Sequence, residues 1–315
     1  MTPLSSNFQA PPEEESAEDP TGGRYAMKVI SKENYIEKEH VFGKEIDILK
    51  ELQHSPDIAK FLEGNVVDGA LYMRFELCPA GDLFDFLTEH EKVSEEQAAQ
   101  MIRCVTQALD FMHERRIVHR DIKPENLLLI AAGNGMFNLK VTDFGLSSYI
   151  AEGQLLYDCC GTPTYVAPEV LLNEGYGFTV DIWSLGIILY IVLVGFPPFQ
   201  TATRNEADLF NQIIEGFVYF PSPAFDKISW AARLVILQML QGKDIRPTAK
   251  ELPQIAGDWY KDATSTDENE DMARELVTHH LAFNTNDGEG FDDPADFVYE
   301  RRASLDELSG VHAGP

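Results

Sequence analysis

Two periods of apolar residues run along this chain, and one gives way to the other part-way through. Arg24 to Ile30 (RYAMKVI) is short and mostly apolar and predicts a strand. From Glu33 to Gln53 the spacing becomes helical, with Val41, Ile48, Leu49 and Leu52 forming a stripe at three- and four-residue steps. Glu45 lies on that same stripe. A carboxylate on a buried face is costly unless a cation meets it. Leu71 to Leu77 predicts another strand. Ser94 followed by Gln97 reads as a capping box. It opens a helix whose apolar face is Ala98, Met101, Ile102, Val105, Leu109 and Met112.

Leu127 to Ile130 and Phe137 to Val141 are short strand-like runs, and Asn134-Gly135 between them suits a hairpin turn. Beyond them, helical patterns dominate, over about 179–195, 206–215, 229–241 and 248–255. Ile182 to Phe196 is apolar for 15 residues and ends in Pro197-Pro198. A spanning helix needs about 20 residues, so this stretch predicts a buried core helix and no membrane partner. Strands early and helices late give an α+β architecture, a small sheet-bearing lobe before a larger helical one.

Composition adds boundaries to this picture. Hydrophobic residues make up 44% of 315 and charged residues 24%, ordinary globular usage that excludes global disorder. The net charge of −27 argues against nucleic acid or an anionic membrane surface as a partner, because the field repels phosphate. That charge is concentrated at the ends. Residues 1–20 hold five acids and no base, and residues 262–315 hold 14 acids against three bases. We therefore expect an acidic disordered tail over 1–20, a folded body over 21–260 and an acidic C-terminal tail over 261–315. Four scattered cysteines with no CxxC pair suggest a reducing compartment. With no basic-then-apolar segment at the N-terminus, the expected location is the cytoplasm, with the nucleus as a second option.

The chemistry lies in four segments. Val118-His119-Arg120-Asp121-Ile122-Lys123-Pro124-Glu125-Asn126 is followed by Asp143-Phe144-Gly145, directly after a strand-like run. Then come Gly161-Thr162-Pro163-Thr164-Tyr165-Val166-Ala167-Pro168-Glu169 and Asp181-Ile182-Trp183-Ser184-Leu185-Gly186. In this order they resemble the eukaryotic protein kinase family over about 21–260. The resemblance implies two lobes, about 21–78 and 79–260, and ATP and Mg²⁺ as substrate and cofactor. It implies Asp121 as acceptor of the substrate hydroxyl proton and Lys123 as the cation beside the moving phosphoryl group. Asn126 and Asp143 would hold magnesium, and Lys28, paired with Glu45, would grip the α- and β-phosphates. Glu76 and Cys78 fall in a hinge that would bind adenine through its backbone, with Phe75 guarding the pocket behind. Glu169 would pair with Arg246, Asp181 would orient the loop around His119 and Arg120, and Thr162 would contact Asp121.

Among kinases the chain is most similar to the calcium/calmodulin-dependent group, which includes calcium-dependent protein kinases. Tyr25 to Lys32, Gly81 to Asp85 and Lys123-Pro124-Glu125-Asn126 carry that likeness. The last of these implies serine or threonine substrates. Asp82 and Glu125 stand where related kinases place acids against substrate arginines, so basic residues are expected upstream of the target hydroxyl. Ile191 stands where some relatives read a second arginine. Asp158 occupies the place of an activating phosphothreonine, with Arg120 as its cationic partner.

Two stretches depart from the pattern. The window before Lys28, Pro11 to Pro20, carries acids and no spaced glycines, where kinases have a phosphate-covering Gly-rich loop. A truncated reading frame, a kinase of low or partner-rescued activity, and a catalytically weak kinase-fold scaffold or binding module all stay open. Residues 285–297 form a degenerate EF-hand-like stretch. Thr285 replaces the first aspartate and Asp292 the usual apolar residue, so calcium binding is not expected. Arg301-Arg302-Ala303-Ser304-Leu305 matches what basophilic kinases accept, making Ser304 a candidate phosphorylation site.

Overall fold

The computed structural model describes residues 24–201 and 205–260. The first strand, β1 (Tyr25–Ile30), leads into α1 (Lys32–Leu52), then β2 (Phe61–Val67) and β3 (Ala70–Glu76). The three strands form an antiparallel sheet in the order β1-β3-β2, with Lys28 opposite Met73. One face of β3 is buried through Leu71, Met73 and Phe75. Against it α1 lays Ile48, Leu49 and Leu52, with Glu45 buried among them, while Val41 is half-buried. The strand β2 has no counterpart among the sequence expectations. All its residues after Phe61 are exposed, so it carries neither an alternating nor a continuous apolar signal.

The helical lobe begins with α2 (Leu83–His90) and α3 (Glu95–Glu114), capped by the side chains of Asp82 and Ser94 respectively. The expected capping box is half-formed. Ser94 accepts from the Gln97 N–H, but the Gln97 amide does not reach back. It pairs instead with both main-chain groups of Phe137, at 2.8 Å each, and so ties α3 to the next hairpin. That hairpin is β5 (Leu127–Gly133) and β6 (Met136–Val141). Asn134 and Gly135 both have positive φ, 52° and 75°, as its tight turn requires.

Two-residue strands β4 (Ile117–Val118) and β7 (Ser148–Tyr149) pair with each other. Short α4 (Pro168–Leu171) precedes α5 (Thr179–Val194), in which every residue from Val180 to Leu193 is buried, as the apolar run implied. At Gly186 a Cβ would lie 2.9 Å from Met239 and Leu240, so glycine lets α5 and α7 (Trp230–Met239) approach closely. The remaining helices are α6 (Glu206–Glu215) and α8 (Leu252–Ala256). The last begins only at Leu252, four residues into the pattern over 248–255, and follows a turn in which Thr248 and Glu251 bond each other reciprocally.

The lobes meet beside the catalytic segments. Ala59 N–H donates to the Val141 carbonyl and Val141 N–H to that of Asp57, both at 2.9 Å, pinning the α1–β2 loop to β6. Among the described residues no helix is long and apolar enough to cross a membrane.

Candidate active site

Five segments far apart in sequence converge between the lobes. On the sheet side, the inward face of β1 directs Lys28 at Glu45 of α1. The Nζ donates to Glu45 Oε1 at 2.7 Å and to Asp143 Oδ1 at 2.9 Å, with Lys28 only 5% exposed. Burial works against the Lys28 charge, but Asp143 and Glu45 outweigh it and raise its pKa. The acid on the apolar stripe has its cation.

On the helical side, Asp181 of α5 holds the loop after β4. Its carboxylate accepts the His119 and Arg120 N–H groups, each at 2.9 Å, and contacts His113 Nε2 at 2.9 Å. Burial would raise the pKa of Asp181, but His113, His119 and the backbone donor outweigh it and lower it. Arg120 and Asp143 both sit at positive φ, 72° and 58°, conformations that ordinary side chains rarely adopt outside over-determined loops.

Around Asp121 the contacts are dense. Thr162 Oγ1 donates to its Oδ1 at 2.9 Å, and Asn126 Nδ2 to its Oδ2 at 3.1 Å and its carbonyl at 2.8 Å. Lys123 Nζ lies 3.1 Å from the same carboxylate and donates to Thr162 at 3.2 Å. Gly161 makes this approach geometrically workable. Its φ is +106°, and a Cβ there would lie 2.8 Å from the Arg120 carbonyl oxygen. Glu169 and Arg246 form a buried two-pronged pair at 2.6 and 3.0 Å, anchoring the far end of this segment.

Asp158 is more loosely placed than the sequence suggested. Its side chain is 80% exposed and stands 3.5 Å from the Arg120 guanidinium. Arg120 instead leans on the Leu146 carbonyl, at 2.6 Å, and on the Tyr176 hydroxyl, at 3.2 Å. Tyr176 was not among the expected residues. No local motif marks it, and its hydroxyl reaches back 18 residues to donate to the Asp158 carbonyl.

Phe75 is buried edge-to-face on Phe61 at 5.6 Å. The Glu76 carboxylate accepts from Lys60 N–H at 2.7 Å and pairs with Lys140. Cys78 is buried, and its thiol is pushed up to about 11, by burial first and then by Glu76. Asp82 caps α2, accepting from the Asp85 N–H at 2.9 Å. Burial first, then the Asp85 and Glu125 carboxylates, push it up to about 6 against its own backbone bonds. Glu125 is also raised by burial, and its Oε2 is buried with no hydrogen-bond partner among the described residues. Ile191 lies buried within α5 and presents no charge.

The donor set fits magnesium. Asn126 uses its amide nitrogen on Asp121, which leaves its oxygen for a cation, and the carboxylate of Asp143 is the second hard oxygen donor. One or two protein oxygens suffice where phosphates supply the rest.

Residues 15–256 match the protein kinase domain family. This chain belongs to the protein kinase family. Its relatives are of the serine/threonine type. The kinase is 41% identical over 289 residues to serine/threonine-protein kinase zyg-8 of Caenorhabditis elegans, covering 91% of this chain and 35% of that protein. It is 42% identical over 250 residues to serine/threonine-protein kinase DCLK2 of Mus musculus, covering 79% and 32%. With serine/threonine-protein kinase DCLK1 of Rattus norvegicus it shares 45% over 226 residues, covering 72% and 52%. The chain thus spans about a third of the length of the first two relatives. Protein kinases generally use ATP and magnesium. The window 11–20, the stretch 285–297 and Ser304 lie outside the described residues.

Proposed function

We propose that this kinase transfers the γ-phosphate of ATP to serine or threonine hydroxyls in proteins with basic residues upstream. The observations that carry the proposal are the bonded sets Lys28–Glu45–Asp143, whose members lie up to 115 residues apart, and Thr162–Asp121–Lys123. Lys28, held by two carboxylates, is placed to grip the α- and β-phosphates, and the backbones of Glu76 and Cys78 to take adenine. Asp121 accepts the proton of the attacking hydroxyl, oriented by Thr162 and Asn126. Lys123 offsets charge on the phosphoryl group as it moves. Magnesium, held by Asn126 and Asp143, would neutralise phosphate charge when bound.

Basic-context recognition rests on Asp82 and Glu125. The unpaired buried oxygen of Glu125 and the raised pKa of Asp82 are what a pair of carboxylates awaiting a guanidinium would show. Tyr25 to Lys32, Gly81 to Asp85 and Lys123-Pro124-Glu125-Asn126 support membership of the calcium/calmodulin-dependent group. We further propose that turnover is slow. The sequence before Lys28 has no spaced glycines to cover the phosphates, and its acids would repel ATP.

Peptide phosphorylation in ATP–magnesium, comparing an arginine-bearing serine peptide with its alanine-for-arginine counterpart, tests the reading. Transfer to the first and weaker transfer to the second is expected. ATP–magnesium binding with no transfer to either peptide would favour the scaffold instead.

A further inference from the structure

The helix α1 has a second face whose contacts phosphate binding does not explain. Glu45 reaches Lys28, but Lys44 and Glu51, seven residues apart, lie two helical turns apart along a different stripe. Both meet β7. Lys44 Nζ donates to Ser148 Oγ at 3.1 Å, and the Tyr149 hydroxyl donates to Glu51 Oε2 at 2.9 Å. Backbone pairing joins β7 to β4, whose last residue, Val118, precedes His119 of the catalytic loop. The dipeptide Ser148-Tyr149 also follows Asp143 by five and six residues. Two adjacent residues thus touch the sheet lobe with their side chains and the catalytic loop's entry strand with their backbone.

We infer that Tyr149 and Ser148 are positioning residues that hold α1 where Glu45 can reach Lys28. The inference rests on the phosphotransfer reading above. Neither residue meets the Lys28–Glu45–Asp143 or Asp121 contacts directly, so each acts through α1. Tyr149 remains 42% exposed, so its burial adds little to the core, and the directed bond to Glu51 is its main contact with the helix. Its phenol is pushed up to about 12, by burial first and then by Glu51 and Asp47, so it stays a donor throughout the working pH range. Its neighbour on the helix stripe, Lys44, also senses the opposite loop. Burial and then Arg120 lower its pKa, while Asp158 and Cys160 oppose them.

The experiment uses the full chain with Tyr149→Phe, Glu51→Leu, Glu51→Gln and Glu45→Gln. Hydrogen–deuterium exchange is followed in peptides spanning α1 and, as reference, α5. Tyr149→Phe and Glu51→Leu should each speed exchange in α1 by about threefold and leave α5 unchanged. Glu51→Gln, whose amide oxygen still accepts the phenol, should stay near the parent. With an arginine-bearing peptide, Tyr149→Phe should lower kcat by about threefold at unchanged peptide KM. Combined with Glu45→Gln it should lower kcat no further. Unchanged α1 exchange, an equal loss in Glu51→Gln and Glu51→Leu, or a full additional loss in the Glu45→Gln background would each overturn the inference. If the parent transfers no phosphate, exchange alone decides whether α1 is held, and it is the phosphotransfer reading that falls.

Discussion

Lys28 answers to more charge than any other residue of the site. A cation that is 5% exposed is stable there because two carboxylates surround it. Lys28→Met would remove the cation that the buried carboxylates of Glu45 and Asp143 share. We expect a loss of about 3–5 kcal/mol in stability as well as of activity, read by thermal unfolding. Asp121→Asn makes the opposite case, since it removes the proton acceptor at almost no steric cost. It should cut phosphotransfer by at least about 100-fold while the melting curve stays in place. A variant that keeps a tenth of the parent rate would show that another group takes the proton. On the proposed reading, Asp82 would make recognition of basic substrates sensitive to pH: with its pKa pushed up to about 6, it offers a substrate arginine little below that value and a charged carboxylate above it. The KM of an arginine-bearing peptide should therefore fall as pH rises through that value, and a neutral peptide should show no such step. At this scale Glu45 stood out because a charged residue on an apolar face demands a partner, while the other acids and cations of the site were expected only from the resemblance. Tyr176, which is buried, and Tyr149, which is exposed, were not legible, since a neutral side chain demands no counter-charge and no local motif marks either.

Among elements, the stretch from Gly161 to α4 is anchored by one buried pair. Glu169, in α4, meets Arg246 with both oxygens, and Arg246 also bonds the Gln241 and Thr179 carbonyls. Glu169→Gln would break the charge balance around a guanidinium whose side chain is fully buried. A destabilisation of about 3–5 kcal/mol is expected, measured by denaturant unfolding, with activity lost in proportion. Amphipathic elements such as α1 and α3, and the Asn134-Gly135 hairpin, could be read directly from spacing. The strand β2 could not, because an edge strand exposed on both faces leaves no periodic trace. Nor could the use of Gln97, whose amide abandons its own helix end for Phe137 across 40 residues. Short-range rules name the local partner, and tertiary packing offered a better one.

For the molecule as a whole, four signatures in order were enough to imply the two-lobe architecture. What they left open is how the lobes are joined, which rests on main-chain bonds such as those between Ala59, Asp57 and Val141. The net charge of −27 acts at this scale too. Basic peptides should be drawn in at low salt and their apparent affinity should weaken as ionic strength rises past about 0.1 M, where the Debye length is about 10 Å. Grafting a complete Gly-rich N-terminus ahead of Lys28 should raise turnover at least about tenfold, a barrier change of about 1.4 kcal/mol. A well-folded graft without gain would show that phosphate cover does not limit this chain. Gly161, pressed against the Arg120 carbonyl, has a consequence for heritable variation. Any side chain there meets the backbone of the loop that carries Asp121, at a φ of +106° that L side chains rarely adopt, right beside Thr162. An allele with a side chain there should lose activity further than its fall in abundance accounts for, because the strain falls on the loop of Asp121. A substitution at Gly186, wedged between core helices, would instead thin the cellular pool through degradation.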